Sequence, residues 1–588
     1  MSANVGTFGN VGAADNAGTV AGENKHPKGL YVLFGTEMWE RFSFYSMLAL
    51  FTLYLRDPVE GFGWTAAEAT TLYANYLMFV YASPLIGGLI ADKITGYRKA
   101  VMIGGFFFMA GHGLLSIPAL WAVYAALTCL VIGNGFFKPN VSTMVGNLYP
   151  EGSHLKDRAY NIFYMGINIG AFLAPIVMEI VKQNFGFHVA FAVAAFGMLI
   201  SVGILWYFKN LVEDPNDLAN RKRNAATEKT NTAATAVDAP PSGVSDQGTD
   251  ETAARSADQT RQDTMNAVPN WKRIVALIVI FIIVIVFWMV FHQNGSTLTY
   301  WADDNTAWSV SGTISNSINA FWVVTLTFPL IWFWGYLDKR GMEPATPTKM
   351  AFGMTLTGLS FLVLYYAATI GENRPPTAQE LASGEFRINE RVATSLGAQG
   401  VPKNVIDKIV AAKDADGKNL INGVKFAAIS DKDIQEKSDK NKADGKPELT
   451  DEEKTRMRSG QLQLLHAVNT VAPEAAPYRD AFLTKAHLFR VSAFWLVFAY
   501  AVVTLGELML SPMGLSLVSK VAPIHLRGLL MGGWFGATAL GNKLTQIGIY
   551  WDIWLQSTFF LVLAGMALVM AVVLFLLLKP LKRAMPGV

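Results

Sequence analysis

The chain has 588 residues, of which 52% are hydrophobic and only 16% are charged, and its formal net charge is +3. This composition argues against a soluble protein, which normally carries about a quarter charged residues, and the small net charge argues against nucleic-acid binding. The single cysteine, Cys129, excludes an intrachain disulfide or a cysteine-rich metal site. We expect no cofactor. Apolar runs of about 20 residues recur along the chain and predict an all-α polytopic membrane protein.

Residues 1–27 are polar and lack an apolar core, which predicts a disordered cytoplasmic tail rather than a signal peptide. Twelve predicted transmembrane spans follow, and the boundaries of each are good to about two to four residues. They lie near residues 30–55, 69–91, 98–118, 122–147, 159–181, 187–208, 274–302, 313–336, 348–371, 490–518, 527–551 and 556–579.

Two hydrophilic stretches interrupt the spans. Residues 211–272 are rich in Ala, Thr, Asp and Asn without apolar periodicity, and they predict a flexible linker. Residues 372–489 are charged and contain short amphipathic helical patterns, which predict a soluble helical cap without a chemical role. The chain is therefore divided into a bundle at 28–210, a bundle formed by 273–371 and 490–580, and a tail at 581–588.

Lysine and arginine are concentrated in alternate short loops, such as "DKITGYRK", "HLKDR" and "YLDKRG", whereas the opposite loops hold mainly Arg56 and Lys182. The positive-inside rule then places both termini and the linker in the cytoplasm of a multi-pass inner-membrane protein, and the 372–489 stretch outside. Glu179 and Asp552, near outer span ends, are expected to be solvated rim residues.

Six spans, a cytoplasmic linker and six further spans are similar to the organisation of the major facilitator superfamily, whose members bind substrate between two pseudo-symmetric halves. The loop "GGLIADKITGYRK" resembles the Gly-x-x-x-Asp-Lys/Arg motif of that superfamily at Gly88, Asp92 and Lys93. The resemblance implies a gating role for Asp92 and Lys93 at the cytoplasmic face.

Several spans carry ionisable residues away from their ends. Glu37, Glu40 and Arg41 share one face of the first span, and Lys138 lies within the fourth. His292 lies on the seventh span and Glu507 on the tenth. Charge at membrane depth is costly, so these groups mark either a functional pathway or a buried pair that joins helices.

The separation of the charges favours a zwitterionic ligand. Arg41 and Lys138 can hold a carboxylate, the arginine through two hydrogen bonds and the lysine as a point charge. Glu507, on the other half, can hold an ammonium group. Glu37 and Glu40 then remain as protonatable partners of the cations, which offers a simple basis for coupling protons to solute.

The stretch "EMWERFSFY" resembles the Glu-x-x-Glu-Arg-Phe-x-Tyr-Tyr motif of the proton-coupled oligopeptide transporter (POT) family. Further matches are "FFKPNV", "FYMGINIGAF" and "GELMLSPMGLS", which occur in chain order across the spans but not in either hydrophilic stretch. The resemblance implies import of di- and tripeptides driven by protons, by a protein that functions as a monomer in the lipid bilayer without nucleic acid and is not an enzyme.

The resemblance also implies roles for individual residues. Arg41 and Lys138 meet the peptide carboxylate, and Glu37, Glu40, His292 and Glu507 are the candidate proton carriers. Glu507, with Asn168 and Asn319, meets the peptide amine. The expected pocket walls for peptide side chains are aromatic: Tyr45, Tyr81, Trp288 and Trp534.

The chain departs from the family pattern at two positions. Phe44 replaces the first tyrosine of the motif, and His292 stands where the seventh span of the family carries a carboxylate. A histidine cannot form the salt bridge that this carboxylate makes with a cation of the other half. Both a proton-carrying and a neutral hydrogen-bonding role stay open for His292.

Two other functions remain open. Some relatives carry nitrate or other small solutes, but an anion carrier needs the cations and not Glu507. A receptor derived from a transporter, with residues 372–489 as its sensing domain, is the alternative from a different class.

Overall fold

The computed structural model describes residues 26–149, 155–212, 267–308, 311–415, 417–443, 445–523 and 526–586. Most of the predicted tail 1–27 and of the predicted linker 211–272 therefore lies outside the described residues. The elements below belong to these described ranges.

The N-terminal bundle consists of long helices joined by short loops. Its first four helices are α1 (Lys28–Arg56), α2 (Ala66–Ile90), α3 (Tyr97–Leu115) and α4 (Leu120–Asn147). A π-helical turn, Ala91–Thr95, extends α2 into the loop that carries the gating motif. Helix α2 begins at Thr65, whose hydroxyl and the Glu68 carboxylate form a capping box that satisfies the first free N–H groups.

The helical run Leu155–Tyr207 contains a break at Gly186, whose φ of 82° lies in the left-handed region. The break divides the run into α5 (residues 155–185) and α6 (residues 187–207), and the 3₁₀ turn Lys209–Leu211 follows. A Cβ on Gly186 would lie 2.5 Å from Glu60 Oε2, so both the backbone conformation and the space favour glycine at this reversal.

The C-terminal bundle opens with a broken span. Helix α7 (Asn270–Phe291) passes into the 3₁₀ turn His292–Gly295, and α8 (Thr297–Asp304) completes the span. The 3₁₀ turn Gly312–Ile314 then leads to α9 (Ser315–Asp338) and α10 (Thr346–Asn373). After the 372–489 stretch come α18 (Ala493–Val521), α19 (Arg527–Leu544) with the 3₁₀ segment Thr545–Asp552, and α20 (Gln556–Ala584), while α11 to α17 belong to that stretch.

Residues 372–489, here called the insert, fold around a hydrophobic core of their own, which includes Phe386, Leu464 and Phe482. The insert contains seven short helices among its described residues: α11 (Ala378–Ser383), α12 (Glu390–Ala398), α13 (Lys403–Ala411), α14 (Asp431–Ala443), α15 (Asp451–Met457), α16 (Gly460–Val471) and α17 (Arg479–Ala486). The 3₁₀ turn Pro473–Tyr478 precedes α17.

Four two-residue strands complete the described elements. Strand β1 (Thr306–Ala307) pairs in parallel with β4 (Val491–Ser492) at the start of α18. Within the insert, β2 (Phe386–Arg387) pairs antiparallel with β3 (Lys425–Phe426). The first pair fastens the root of the insert to the end of α8.

Within the described ranges, eight helical segments are long and apolar enough to cross a membrane, with residues 158–207 counted as one segment. The protein is therefore an all-α polytopic membrane protein, as the sequence predicts. Helix is also present at each of the twelve predicted spans, although the number of spans that cross the bilayer stays a prediction.

The two bundles touch at the end of the molecule that carries the insert. Here α2 packs on α19 and α5 packs on α9. Polar contacts across the seam join Thr52 to the Gly295 carbonyl at 3.1 Å and Ser317 to the Phe172 carbonyl at 2.9 Å. Among the residues that the structure describes, every hydrogen bond between the bundles lies at this end. The polar contacts between the bundles are thus concentrated at the insert end, whereas farther along α2 and α19 the contact is apolar, as between Leu85 and Gly532.

The expectation that Glu179 and Asp552 are solvated rim residues is wrong, because both side chains are buried at the closed seam. Glu179 pairs with Lys182 at 2.8 Å and accepts a hydrogen bond from Ser311 of the other bundle. Asp552 accepts from the backbone N–H of Ala66 at 3.1 Å. Both carboxylates are paired, which is what allows them to be buried.

Candidate functional site

The carboxylates and arginine of α1 form a buried ion cluster. Arg41 Nη2 donates to Glu40 Oε1 at 2.7 Å, Arg41 Nε also pairs with Glu40, and the same Nε lies 3.2 Å from Glu37 Oε1. All three side chains are almost completely buried. Their i, i+3, i+4 spacing brings them onto one face of the helix, as the sequence predicts.

Glu40 and Glu37 hold Arg41 unequally. Both Glu40 oxygens accept from Arg41, whereas Glu37 Oε2 is buried and has no hydrogen-bond partner among the described residues. Because one of its oxygens has no partner among the described residues, Glu37 binds Arg41 less fully than Glu40 does. Phe44, where the family motif has tyrosine, lies under the Arg41 guanidinium at 4.9 Å and forms a cation–π contact in place of a hydroxyl.

Lys138 of α4 faces the same cluster. Its charge interacts with Glu37, Glu40 and Arg41, and its ammonium lies 4.9 Å from the ring centre of Tyr81 on α2. Gly87 permits this approach of α2 to α4, because a Cβ there would lie 1.9 Å from the Gly135 carbonyl oxygen. The structure therefore brings together the two cations that the sequence assigns to a carboxylate site.

His292 lies where α7 becomes a 3₁₀ turn. Its ring stacks on Trp288 with 5.0 Å between ring centres and meets Tyr81 edge-on at 5.6 Å. It is also within electrostatic range of Lys138. His292 Nε2 and the indole N–H of Trp288 are buried, and neither has a partner among the described residues. His292 thus faces the N-terminal cations across the seam without neutralising them.

Glu507 of α18 lies on the C-terminal bundle. Asn319 of α9 donates from its amide to Glu507 Oε2 at 3.1 Å and to the Thr504 hydroxyl at 3.0 Å. The amide fixes one carboxylate oxygen and leaves Glu507 without a cationic partner among the described residues. Tyr45 of α1 lies within electrostatic range of both Arg41 and Glu507, so the two charged poles converge on one region.

Two other predicted site residues make their contacts within their own bundles. The Asn168 amide donates to the Tyr164 carbonyl of its own helix at 2.9 Å and makes no hydrogen bond to Glu507. Trp534 is buried in the core of the C-terminal bundle, edge-on to Phe281, and Gly514 provides the space for its ring. Whether either residue meets a ligand stays a prediction.

Asp92 and Lys93 lie in the π-helical turn at the end of the molecule opposite the insert. Both side chains are exposed, and neither forms an ion pair with a described residue. A gating role would require contacts that form when this end closes, so that role also stays a prediction.

Sequence reasoning missed several polar residues at the closed seam. Lys543 of α19 donates to the side-chain oxygen of Asn75 on α2, and Arg56 lies 4.0 Å from Asp304 of α8. Lys543 interrupts an apolar stretch, and Asp304 ends the apolar run of the seventh span next to a second aspartate. Those local signals were available, but the partners lie hundreds of residues away along the chain.

Comparison with known proteins identifies the family. The sequence model of the POT family (PTR2) matches residues 98–396, slightly more than half of the chain. The protein belongs to the POT family. The matched range contains the "FFKPNV" and "FYMGINIGAF" motifs, and the fold class is the one expected of a major facilitator transporter.

Individual relatives match over nearly the whole chain. A di-/tripeptide transporter of Lactococcus lactis subsp. cremoris is 24% identical over 577 residues, covering 96% of this chain and 97% of the relative. An uncharacterised transporter of Bacillus subtilis, YclF, is 27% identical and covers 96% of both chains. A crystal structure of the peptide transporter POT in complex with sulfate superposes with a TM-score of 0.64 at 26% identity, covering 96% of this chain and 97% of the other.

Proposed function

We propose that this POT-family protein is a proton-coupled symporter that imports di- and tripeptides by alternating access. Arg41 and Lys138 hold the peptide carboxylate, and Glu507 holds the peptide amine. The proposal places the protein in the inner membrane, with both termini and the 211–272 linker in the cytoplasm and the insert outside, and takes the monomer as the functional unit.

The observation that carries the proposal is the arrangement of buried charge. Two cations lie on the N-terminal bundle, and one carboxylate without a cationic partner among the described residues lies on the C-terminal bundle. A ligand with an anionic and a cationic end satisfies both poles at once. A simple anion satisfies only the cations and leaves Glu507 without a counter-ion.

Proton coupling follows from competition for Arg41. In the structure, Glu40 and Glu37 both contact the Arg41 guanidinium. A proton on one of these carboxylates removes its negative charge and frees donors of Arg41 for the peptide carboxylate. Peptide and proton therefore load together, because each makes the other more favourable. Glu37 is the first candidate, since one of its oxygens has no partner among the described residues.

The bound peptide also bears on the conformational change. Its two charged ends draw the poles of the two bundles toward each other, which favours closure around the ligand. The polar contacts between the bundles at the insert end fit a state that is closed on that side and, in the proposed orientation, opens toward the cytoplasm.

The experiment that tests the function is uptake of labelled dialanine into proteoliposomes. We expect accumulation above the outside concentration when an inward proton gradient is imposed, and only equilibration when a protonophore removes it. Protein-free liposomes are the control. Accumulation of labelled nitrate with no uptake of dialanine would favour an anion carrier, and binding without uptake of either solute would favour the receptor alternative.

A further inference from the structure

The insert is fastened to the C-terminal bundle by buried charged contacts. Arg387 pairs with Asp304 at the end of α8, and Lys425 pairs with Asp303 at 3.1 Å and with Asp304 at 3.5 Å. Burial alone would lower the pKa of Lys425, but Asp303 and the neighbouring carboxylates outweigh burial and raise the pKa above its ordinary value. Asn389 adds a hydrogen bond to Asp552 at 3.1 Å.

The same insert reaches the N-terminal bundle through hydrogen bonds to uncharged backbone carbonyls. The Lys418 ammonium donates to the backbone carbonyls of Gly61 at 2.8 Å and Pro58 at 3.4 Å. The Asn419 amide donates to the Gly63 carbonyl at 3.2 Å. These contacts fall on the loop of residues 57–63 between α1 and α2, here called the α1–α2 loop.

The α1–α2 loop is itself tied firmly into the N-terminal bundle. Asp57 accepts from the backbone N–H groups of Val59 and Glu60, each at 2.8 Å. The Glu60 carboxylate accepts from the N–H of Phe187 at the reversal between α5 and α6, at 2.7 Å. A contact with this loop is therefore a contact with α1, α2, α5 and α6 together.

The two attachment points of the insert are joined by its backbone. Arg387 lies in β2, which pairs with β3, the strand of Lys425. The N–H of Gly423 donates to the Ile388 carbonyl at 2.7 Å, so the segment that carries Lys418 and Asn419 is bonded to the strand that carries the C-terminal anchor. Movement of one bundle away from the other must break one attachment.

The direct ion pair across the seam is weak by comparison. Arg56 is 4.0 Å from Asp304, and among the described residues its buried Nε and Nη2 have no hydrogen-bond partner. Arg387 of the insert, in contrast, forms a hydrogen-bonded ion pair with Asp304. The charge network at the closed end is thus centred on the insert rather than on the two bundles.

We infer that the insert is a clasp that holds the insert end of the transporter closed. It stays with the C-terminal bundle through its buried ion pairs, and it releases the α1–α2 loop when this end opens, because the Lys418 and Asn419 contacts are the less charged and more exposed attachment. Its role in a transport cycle rests on the proposed function; its effect on the closed state does not.

The first test measures the closed state directly. Spin labels are attached at Ile117→Cys and Ile553→Cys in a Cys129→Ser background, in lipid nanodiscs. Both positions are exposed and lie near the insert end on different bundles, so the distance between the labels reports the opening of this end. We expect Lys418→Met with Asn419→Ala to lower the closed-to-open ratio about tenfold, from the loss of these hydrogen bonds. Lys432→Met, an exposed lysine of the insert, is the matched control. A distance distribution identical to that control would overturn the clasp.

A disulfide tests release of the same contact. A Cβ on Gly63 would lie 3.7 Å from Lys418 Cβ, which suits a disulfide between Gly63→Cys and Lys418→Cys. Oxidation should block dialanine uptake, and reduction should restore it. Equal uptake in the oxidised and reduced protein would show that the contact need not open and would contradict the inference. If the unmodified protein takes up no peptide while the spin-label shift occurs, the proposed function fails and the clasp stands.

Discussion

At the scale of single residues, the proposed central site consists of Arg41 and Lys138 on one bundle and Glu507 on the other. Glu507 is the residue whose role separates a peptide carrier from an anion carrier, because only a cationic ligand end requires it. The hydrogen bond from Asn319 positions the carboxylate without neutralising it.

Glu507→Gln should raise the KM for dialanine by roughly 30-fold or more, since a buried charge-assisted contact is worth about 2–5 kcal/mol. The informative measurement is competition by dialanine and by N-acetyl-dialanine in the wild type and the variant. The acetyl group should weaken competition strongly in the wild type and little in Glu507→Gln. Glu390→Gln, an exposed change in the insert, is the control. If the acetyl group weakens competition equally in both proteins, Glu507 does not bind the peptide amine.

Glu37→Gln and Glu40→Gln preserve shape and remove a titratable proton. At least one of them should lose uphill accumulation and retain counterflow of peptide between two loaded compartments, because binding survives while coupling does not. Glu37→Gln is expected to show this separation more cleanly, as Glu40 holds Arg41 through both oxygens. Normal accumulation in both variants would show that the cluster is structural.

His292 is the departure from the family pattern with the largest electrostatic consequence. His292→Asp supplies a carboxylate within range of Lys138 and should be tolerated, with a shifted pH optimum of proton-driven uptake. His292→Ala should keep counterflow. Uptake measured against pH in both variants decides the matter: if both keep counterflow but lose all accumulation, the imidazole is an obligatory proton carrier and a dispensable role is ruled out.

At the scale of elements, the reversal between α5 and α6 depends on one glycine. Gly186→Ala should lower the stability of the protein by about 1–3 kcal/mol, because φ is positive and the added methyl group meets the Glu60 carboxylate. Gly203→Ala is the control, since a Cβ there has nothing within 4 Å and the position is helical. Thermal unfolding in detergent checks the difference; equal melting temperatures would contradict it.

The broken seventh span is a second feature at this scale. The turn from Phe291 to Ser296 brings His292 toward Tyr81 and lets Tyr73 approach Gly295, where a Cβ would lie 1.9 Å from the tyrosine hydroxyl oxygen. The hydropathy of the span predicts one helix, and the approach of Tyr73 to Gly295 shows that α2 packs against the break.

At the scale of the whole molecule, the insert contacts both bundles, whereas Arg41, Lys138 and Glu507 lie within the bundles. Gly371 lies directly beneath the ring of Phe489, so the two ends of the insert are close and a short linker can join them. Replacing residues 376–487 by a Gly/Ser linker should keep dialanine uptake per folded molecule and populate the open insert end more than in the wild type. Uptake and the spin-label distances check the two parts. Loss of uptake in a correctly folded deletion would assign substrate capture or an essential gate to the insert.

Much of this organisation was predictable from sequence. Apolar runs predict the spans because the bilayer demands internally satisfied helices, and the spacing of Glu37, Glu40 and Arg41 predicts their shared face because one helical turn determines it. The motifs predict the family. These properties depend on residues within a few turns of one another, and local rules are enough for them.

Other features were decided only by tertiary structure. The pairing of Asp304 with Arg387, the burial of Glu179 and Asp552, and the reach of Lys418 to the α1–α2 loop all join segments distant in sequence. The sequence of the insert predicts an isolated polar cap, because its composition indicates only that the insert avoids lipid. Where its charges find partners depends on how the two bundles meet, and that arrangement lies in three-dimensional packing rather than in any local pattern.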